Sequence, residues 1–317
     1  MIHATLDIDR WKATFPLAKE RSEDSVLEVD FISGPRTIAV LEQLRDDVFG
    51  NVFGSTSTLA RMPTDVFVWA RGEPEHRVVT KIAGLPYRAA DKPWPLDVVG
   101  RPRLFLGQFC FAESRDLVPV SLPGDVLLVF AAVEEWQPGA FEVMWGRPDA
   151  LWFEWAQLNE RPLVSAAEVP ASGMRLLPCY GTRHRTWDYV LSASMIDRGP
   201  DPRDHWTEEE DLLLDCAVVE GTKIGGIAPR LFDEDEIRLD GEEVVPPGTY
   251  LCTLASLMVD TFRPYALLNM PEPRDPADRE ASRAWWQSYP LMIADAGLLN
   301  FFLDREGTVR WTGHCAT

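Results

Sequence analysis

The sequence predicts a β-dominated α+β fold built from two related halves, each with its own multi-stranded, mostly antiparallel sheet and few helices. Three observations lead there. Thr80-Lys81-Ile82-Ala83-Gly84-Leu85 returns as Thr222-Lys223-Ile224-Gly225-Gly226-Ile227, and each copy runs through a Pro-containing segment into a β-rich apolar run. An echo of that kind bears on the whole architecture, not on one loop. Most other apolar residues fall in short Val-, Phe- and Trp-rich runs bounded by Gly or Pro, the pattern of strands. Only a few segments carry helical spacing.

The first of these follows Gly34-Pro35, where Ile38, Leu41, Leu44 and Val48 recur at three- and four-residue intervals. Pro35 suits a first turn and Gly50 a stop, so residues 1–74 are expected to form an N-terminal helical extension packed on the core. Strands are expected at Val66–Trp69 and Arg77–Ile82. Lys92-Pro93-Trp94-Pro95 cannot sit within a sheet, because its prolines remove ladder donors; it is a loop that presents or buries one indole. Leu104–Phe111 and Val126–Val133 read as strands apolar on both faces and hence covered, followed by a strand over Leu151–Leu158. A polar stretch near 196–206 marks the seam between a first half, 75–200, and a second, 201–317.

Thr207-Glu208-Glu209-Glu210 has capping-box spacing and opens a second helix. Beyond the second copy, Thr249–Leu257 reads as a strand, the proline-rich 271–276 as a loop and Ala277–Ser288 as a helix. Gly297–Leu303 and Thr308–Trp311, parted by Glu306-Gly307, form an expected hairpin. Each half thus offers a Lys-Ile-x-Gly strand end, a loop, a strand and a Leu-Leu-containing strand.

Composition narrows the function classes. At 317 residues, 46% hydrophobic and 26% charged, the chain can bury a sizeable core. Its 31 basic and 50 acidic residues give a net charge of -19, a field that repels nucleic-acid phosphates and anionic membranes and is compatible with a basic protein partner. The charged start, MIHATLDIDRWK, has no apolar h-region, and the longest apolar run, Val126–Val133, is too short to span a bilayer. Five scattered cysteines suit a reduced compartment. Cytoplasm is the expected location, with neither nucleic acid nor membrane as partner.

TKIAGLP, the following PWP, FLGQF and LPGDVLLVF, taken with TKIGG and the late DAGLLNFF, resemble the YwqG-like family of bacterial proteins of unknown function. The resemblance covers roughly residues 75–317. It implies a β-rich α+β protein of two related halves, and the occurrence of some members near secreted bacterial toxins implies an immunity or interaction role. The chain departs from the family at Ala83, where Gly is preferred, at Ile227-Ala228-Pro229, where an aromatic-Pro is usual, and at Thr253, where Gln is usual.

Four residues are the ligand-binding candidates. Lys81 and Lys223 each place a cation beside a glycine turn, which can hold a carboxylate across the pseudo-symmetry axis or form an ordinary ion pair. Gln108, by alternation with Leu104, Leu106 and Cys110, is an expected buried amide that bonds the nearby backbone or a ligand. Trp94 belongs to the proline loop. Gly84, Gly225 and Gly226 supply left-handed backbone; no phosphate-loop or dinucleotide fingerprint accompanies them. The histidines and cysteines lack metal-ligand spacing, Cys110 and Cys252 read as core thiols, no nucleophile elbow is present, and no cofactor is expected.

These features point to a non-enzymatic binding protein, in an immunity-like role toward a protein partner. The alternative is a carbohydrate binder or hydrolase with a cleft between the halves, using carboxylates and exposed tryptophans.

Overall fold

The structure is a computed structural model that describes residues 42–43, 45–46, 49–50, 59–71, 73–132, 149–159, 162–170, 176, 178–190, 217–219, 221–229, 248–256, 291, 293 and 297–314. Among the described residues lie ten strands: β1 (Ala60–Arg71), β2 (Lys81–Ile82), β3 (Leu104–Cys110), β4 (Val126–Ala131), β5 (Leu151–Ala156), β6 (Cys179–Val190), β7 (Lys223–Gly225), β8 (Thr249–Ala255), β9 (Leu298–Leu303) and β10 (Val309–His314). They make one sheet in the order β10-β9-β8-β7-β1-β6-β2-β3-β4-β5. Every pairing in it is antiparallel.

This overturns the expected α+β class with a separate sheet in each half. The reason lies in β1 and β6, which pair along their whole length from Ala60↔Val190 to Arg71↔Cys179. β1 precedes the first copy of the repeat but flanks the second, through β7; β6 lies between the copies but flanks the first, through β2. The exchange fuses the strands into one sheet. Helical structure among the described residues is slight: Glu42, Gln43, Arg45, Asp46, Phe49 and Gly50 are helical, in line with the expected N-terminal helix; Ala217 is helical too, and Arg115–Leu117 forms a 3-10 turn. The helices expected from Thr207 and over Ala277–Ser288 lie outside the described residues.

The sheet curls until its two sides meet. Phe153 on the terminal strand β5 packs edge-on against Phe301 of β9 at 5.4 Å, and Phe109 of β3 meets the same ring at 5.9 Å. One face therefore closes around a continuous core holding Phe67, Trp69, Leu106, Leu127, Ile224 and Leu299, the nearly closed arrangement by which antiparallel sheets hide their edges. β4, with the sequence VLLVFA, is buried at every position. Its outward residues Val126, Leu128 and Phe130 join Tyr87, Phe105 and Ala156 in a second apolar layer, against which Trp94 and Leu163 pack.

Repeated detail survives inside the single sheet. Lys81 stands opposite Gln108 and Lys223 opposite Thr253. A bulge interrupts β3 between Phe105 and Gly107 and β8 between Tyr250 and Cys252, at matching places. Thr80 Oγ1 accepts from the Cys110 amide at 3.1 Å, as Thr222 Oγ1 does from the Ala255 amide at 3.1 Å.

The β3 bulge also corrects the expected face of Gln108. Leu104 and Leu106 enter the central core, whereas Gln108 meets the Tyr87 amide and Cys110 packs on the outer layer. An extra residue in the strand shifts the alternation by one, which moves Gln108 to the opposite face from Leu104 and Leu106.

A double-mutant cycle of Phe153→Leu with Phe301→Leu tests the closure. Urea denaturation should give a coupling of about 0.5–1.5 kcal/mol, the usual worth of an aromatic pair. Strict additivity would mean that β5 and β9 do not meet.

Candidate functional site

Each copy of the repeat builds a clamp around a carboxylate. In the second, Lys223 Nζ donates to Asp188 Oδ2 at 2.8 Å and the Ile227 amide donates to the same oxygen at 2.8 Å. Asp188 Oδ1 takes the Val219 amide at 2.7 Å. In the first, Lys81 Nζ donates to Glu73 Oε2 and to the Leu85 carbonyl at 3.0 Å, while the Leu85 amide donates to Glu73 Oε1 at 2.7 Å. The same two donors recur: the lysine and the amide four residues after it.

The glycines make room for these carboxylates. Ala83 and Gly84 have φ of 54° and 69°, Gly225 and Gly226 of 70° and 74°, a left-handed pair that turns successive amides inward. A Cβ on Gly84 would run into the Glu73 carboxylate, and one on Gly226 into that of Asp188. Ala83 tolerates the same backbone as Gly225 because only the second position lies against the carboxylate.

Lys81 and Lys223 are thus both fully buried and paired. The carboxylates differ: Asp188 is wholly buried in the β6 ladder, while Glu73 lies beyond the end of β1 with its side chain 36% exposed. Burial pushes the Lys81 ammonium below its ordinary range, against the hydrogen bond and charge of Glu73, which raise it; nearby Arg77 adds to the lowering. Desolvation of the charged form is the dominant cause.

Gln108 is saturated by backbone. Its Oε1 accepts from the Tyr87 amide at 2.7 Å, and its Nε2 donates to the Arg77 and Val79 carbonyls at 2.7 and 2.9 Å. Its counterpart Thr253 donates to Asn300 Oδ1 at 2.6 Å and is bonded to the Tyr250 hydroxyl. Half-buried Trp94 donates to the Arg103 carbonyl at 2.8 Å and stacks edge-on with Phe130 at 5.4 Å. The Arg88 guanidinium lies over its ring at 5.6 Å and forms a two-point ion pair with Glu154 at 2.7 and 3.1 Å. The structure therefore places Lys81, Gln108 and Trp94 on the outer side of the first repeat, with Lys223 in the second.

The proline loop continues into a hairpin, bridged at Leu96↔Pro102, that sequence reading passed over. Asp97 holds it: Oδ1 accepts the Val99 and Arg101 amides at 3.0 and 2.8 Å, and Oδ2 the Arg101 guanidinium at 2.8 Å. Asp304 shapes the β9–β10 turn the same way, through the Glu306 and Thr308 amides and Arg310. The Asp97 hairpin exposes Leu96, Val98 and Val99 by 53%, 69% and 68%. Trp152 on β5 is 48% exposed. It stands beside the hairpin's base, since Arg103, which donates to the Leu96 carbonyl at 3.0 Å, lies over its ring at 6.0 Å. Only the D-x-x-G turn spacing of Asp97 and Asp304 hinted at this in the sequence.

Among the described residues no group of three or more His, Cys, Asp or Glu is placed to hold a metal. Burial pushes the Cys110 and Cys252 thiols up, so both are held neutral, Cys252 in the central core and half-buried Cys110 against the outer layer.

Asp188→Asn should destabilise the protein by about 3–5 kcal/mol in urea denaturation, because it removes the buried carboxylate that balances the Lys223 ammonium in the core. Gly226→Ala should cost clearly more than Gly84→Ala: both carry about 1 kcal/mol of left-handed strain, but Glu73 can turn to water while Asp188 cannot. Equal losses would show that the two clamps are equally rigid.

For Asp97 and Asp304 burial alone would raise the carboxyl pKa; the amides and arginines around each outweigh it and hold it below the usual carboxylate range. A depressed folded-state pKa gives stability that is complete above the unfolded value, near 4, and is lost as pH falls through the lower folded value. Asp97→Asn and Asp304→Asn should therefore flatten the acid limb of stability against pH, read by thermal unfolding at pH steps from neutrality downward. An unchanged acid limb in both would contradict this.

No family model matches the chain, and no curated protein matches it.

Proposed function

We propose that this chain is a non-enzymatic binding protein that captures a protein partner on the Asp97 hairpin and the outer face of β5. The observation that carries the reading is the exposure of Leu96, Val98 and Val99 on one short hairpin, beside a half-exposed Trp152. Exposed apolar residues scattered singly need no explanation; three on a turn held by a buried carboxylate, next to an indole, form a pre-organised contact surface. Such a surface gains affinity because little freedom remains to be lost on binding.

The partner is basic. A net charge of -19 accelerates encounter with cationic proteins and slows anionic ones. An immunity-like role, sequestering a basic toxin in the cytoplasm, is the specific form of the proposal, and the YwqG-like resemblance agrees with it. No helix among the described residues is long and apolar enough to cross a membrane.

A second reading rests on the same place. Trp152 Nε1 points to Glu154 Oε1 at 3.4 Å, and an exposed indole beside a carboxylate also suits a sugar.

Pull-down from the native host, with a toxin encoded beside this gene as bait, separates the two when wild type is compared with Val98→Asp/Val99→Asp. A partner held by wild type and released by the variant, with an association rate that falls as salt rises, supports the proposal. No partner retained at low salt sinks it. A Trp152 fluorescence response to a glycan panel would favour the sugar reading instead.

A further inference from the structure

The two clamps share donors but not the security of what they hold. Asp188 is fixed within a strand, fully buried, and satisfied by three donors. Glu73 reaches its clamp from outside the ladder, is held by two donors, and faces water over a third of its side chain. The Lys81 ammonium beneath it is fully buried, and a buried cation demands an anion. Gly84 leaves the space that the carboxylate fills, and the left-handed turn aims the Leu85 amide into it.

We propose that the Lys81 clamp is a carboxylate-binding site of which Glu73 is the resident, displaceable occupant. The ligand is a compact carboxylate, either a small monocarboxylic acid or the C-terminal carboxylate of a peptide. It accepts from Lys81 Nζ and the Leu85 amide at the positions of the Glu73 oxygens, while Glu73 turns outward into solvent. Arg77, whose guanidinium donates to the Val164 carbonyl, stands close enough to Lys81 to add to the positive field at the clamp. Glu73 acts as a tethered competitor, so the apparent affinity of wild type is reduced by the small fraction of molecules in which it is out. The Lys223 clamp, closed by Asp188, serves as the built-in comparison, since its anion has no route to water. This inference uses none of the hairpin residues and stands or falls apart from the proposed partner surface.

The test uses sodium acetate, with sodium chloride at equal ionic strength as control, and follows tryptophan fluorescence and thermal unfolding of wild type, Glu73→Ala and Glu73→Ala/Lys81→Met. Glu73→Ala should bind acetate at least about tenfold more tightly than wild type, with little response to chloride. The double variant, which buries no unpaired charge, should not respond to acetate. Should Glu73→Ala fold only with acetate present, that dependence is itself the expected result. Wild type should respond at higher acetate; a tripeptide with a free C-terminus, set against its amidated form, shows whether peptides or small acids are the better ligand. Equal stabilisation of Glu73→Ala by acetate and chloride, or an acetate response kept in the double variant, would overturn the site. A wild type insensitive to both acetate and the free tripeptide would overturn displacement and leave the clamp a fixed ion pair.

Discussion

A lysine buried at the root of each repeat must find a carboxylate, and in this fold it finds one only by reaching across a neighbouring strand. Lys223 on β7 is separated from Asp188 on β6 by the intervening β1. Lys81 on β2 lies next to β6 and takes its carboxylate from the segment just past β1. Each clamp therefore ties a strand of one repeat to the end of the other arm of the β1–β6 pair. Thr64 adds to the second clamp by bonding the Ile224 and Gly225 carbonyls at 3.2 Å each. Break that crossing and each repeat would hold a buried ammonium without its balancing carboxylate, a cost of several kcal/mol per ion. The single sheet is the arrangement in which both charges are met.

Sequence legibility followed the distribution of apolar side chains. β3, β4, β5, β8 and the β9–β10 hairpin stand where the Val-, Leu- and Phe-rich runs put them, because burial on one or both faces leaves a direct hydrophobic trace. β6 left none. Its sequence, CYGTRHRTWDYV, sets two exposed arginines in mid-strand, where a covered strand would show apolar residues, and the explanation is Asp65. That carboxylate is wholly buried, accepts from Arg185 at 2.5 and 3.2 Å and from Ser114 at 2.6 Å, and meets Arg183 at 3.4 Å. The arginines run on to Asp116 and Glu113 at the surface. A strand whose middle carries exposed arginines paired to a buried carboxylate on its neighbour looks like a loop to any hydrophobic count, and without β6 the two copies read as separate units. The expected strand over Arg77–Ile82 shrinks to Lys81–Ile82 for a related reason: the Arg77 and Val79 carbonyls bond Gln108 rather than a ladder.

The candidate residues were legible in type but not in partner. A lysine beside a left-handed glycine turn reads as a carboxylate holder, and both lysines hold one; that the carboxylates come from Glu73 and Asp188 depends on strand crossing, which no local pattern records. Gln108 reads as a buried amide, yet its face was hidden by a bulge that a single residue creates. The apolar hairpin escaped notice because Leu96, Val98 and Val99 resemble core residues until the Asp97 turn is seen to point them outward.

The copies have diverged in one direction. In the second, the polar outer positions close on each other, Thr253 with Asn300 and Tyr250, and Asn300 with the Pro229 carbonyl at 3.3 Å. In the first, Gln108 spends its amide on the chain before and after the turn, which carries that chain out over the sheet into the Trp94 loop and the Asp97 hairpin. Arg88, buried against Trp94, bonds the Lys92 and Pro93 carbonyls at 2.7 and 2.6 Å and anchors the loop to Glu154 on β5. The clamp with the water-facing carboxylate and the hairpin with the exposed aliphatics both belong to this elaborated copy. The two clamps differ accordingly: Asp188 closes its clamp wholly away from water, whereas Glu73 holds the same geometry with over a third of its side chain in solvent, so the same pair of donors is structural cement in one place and a solvent-facing contact in the other.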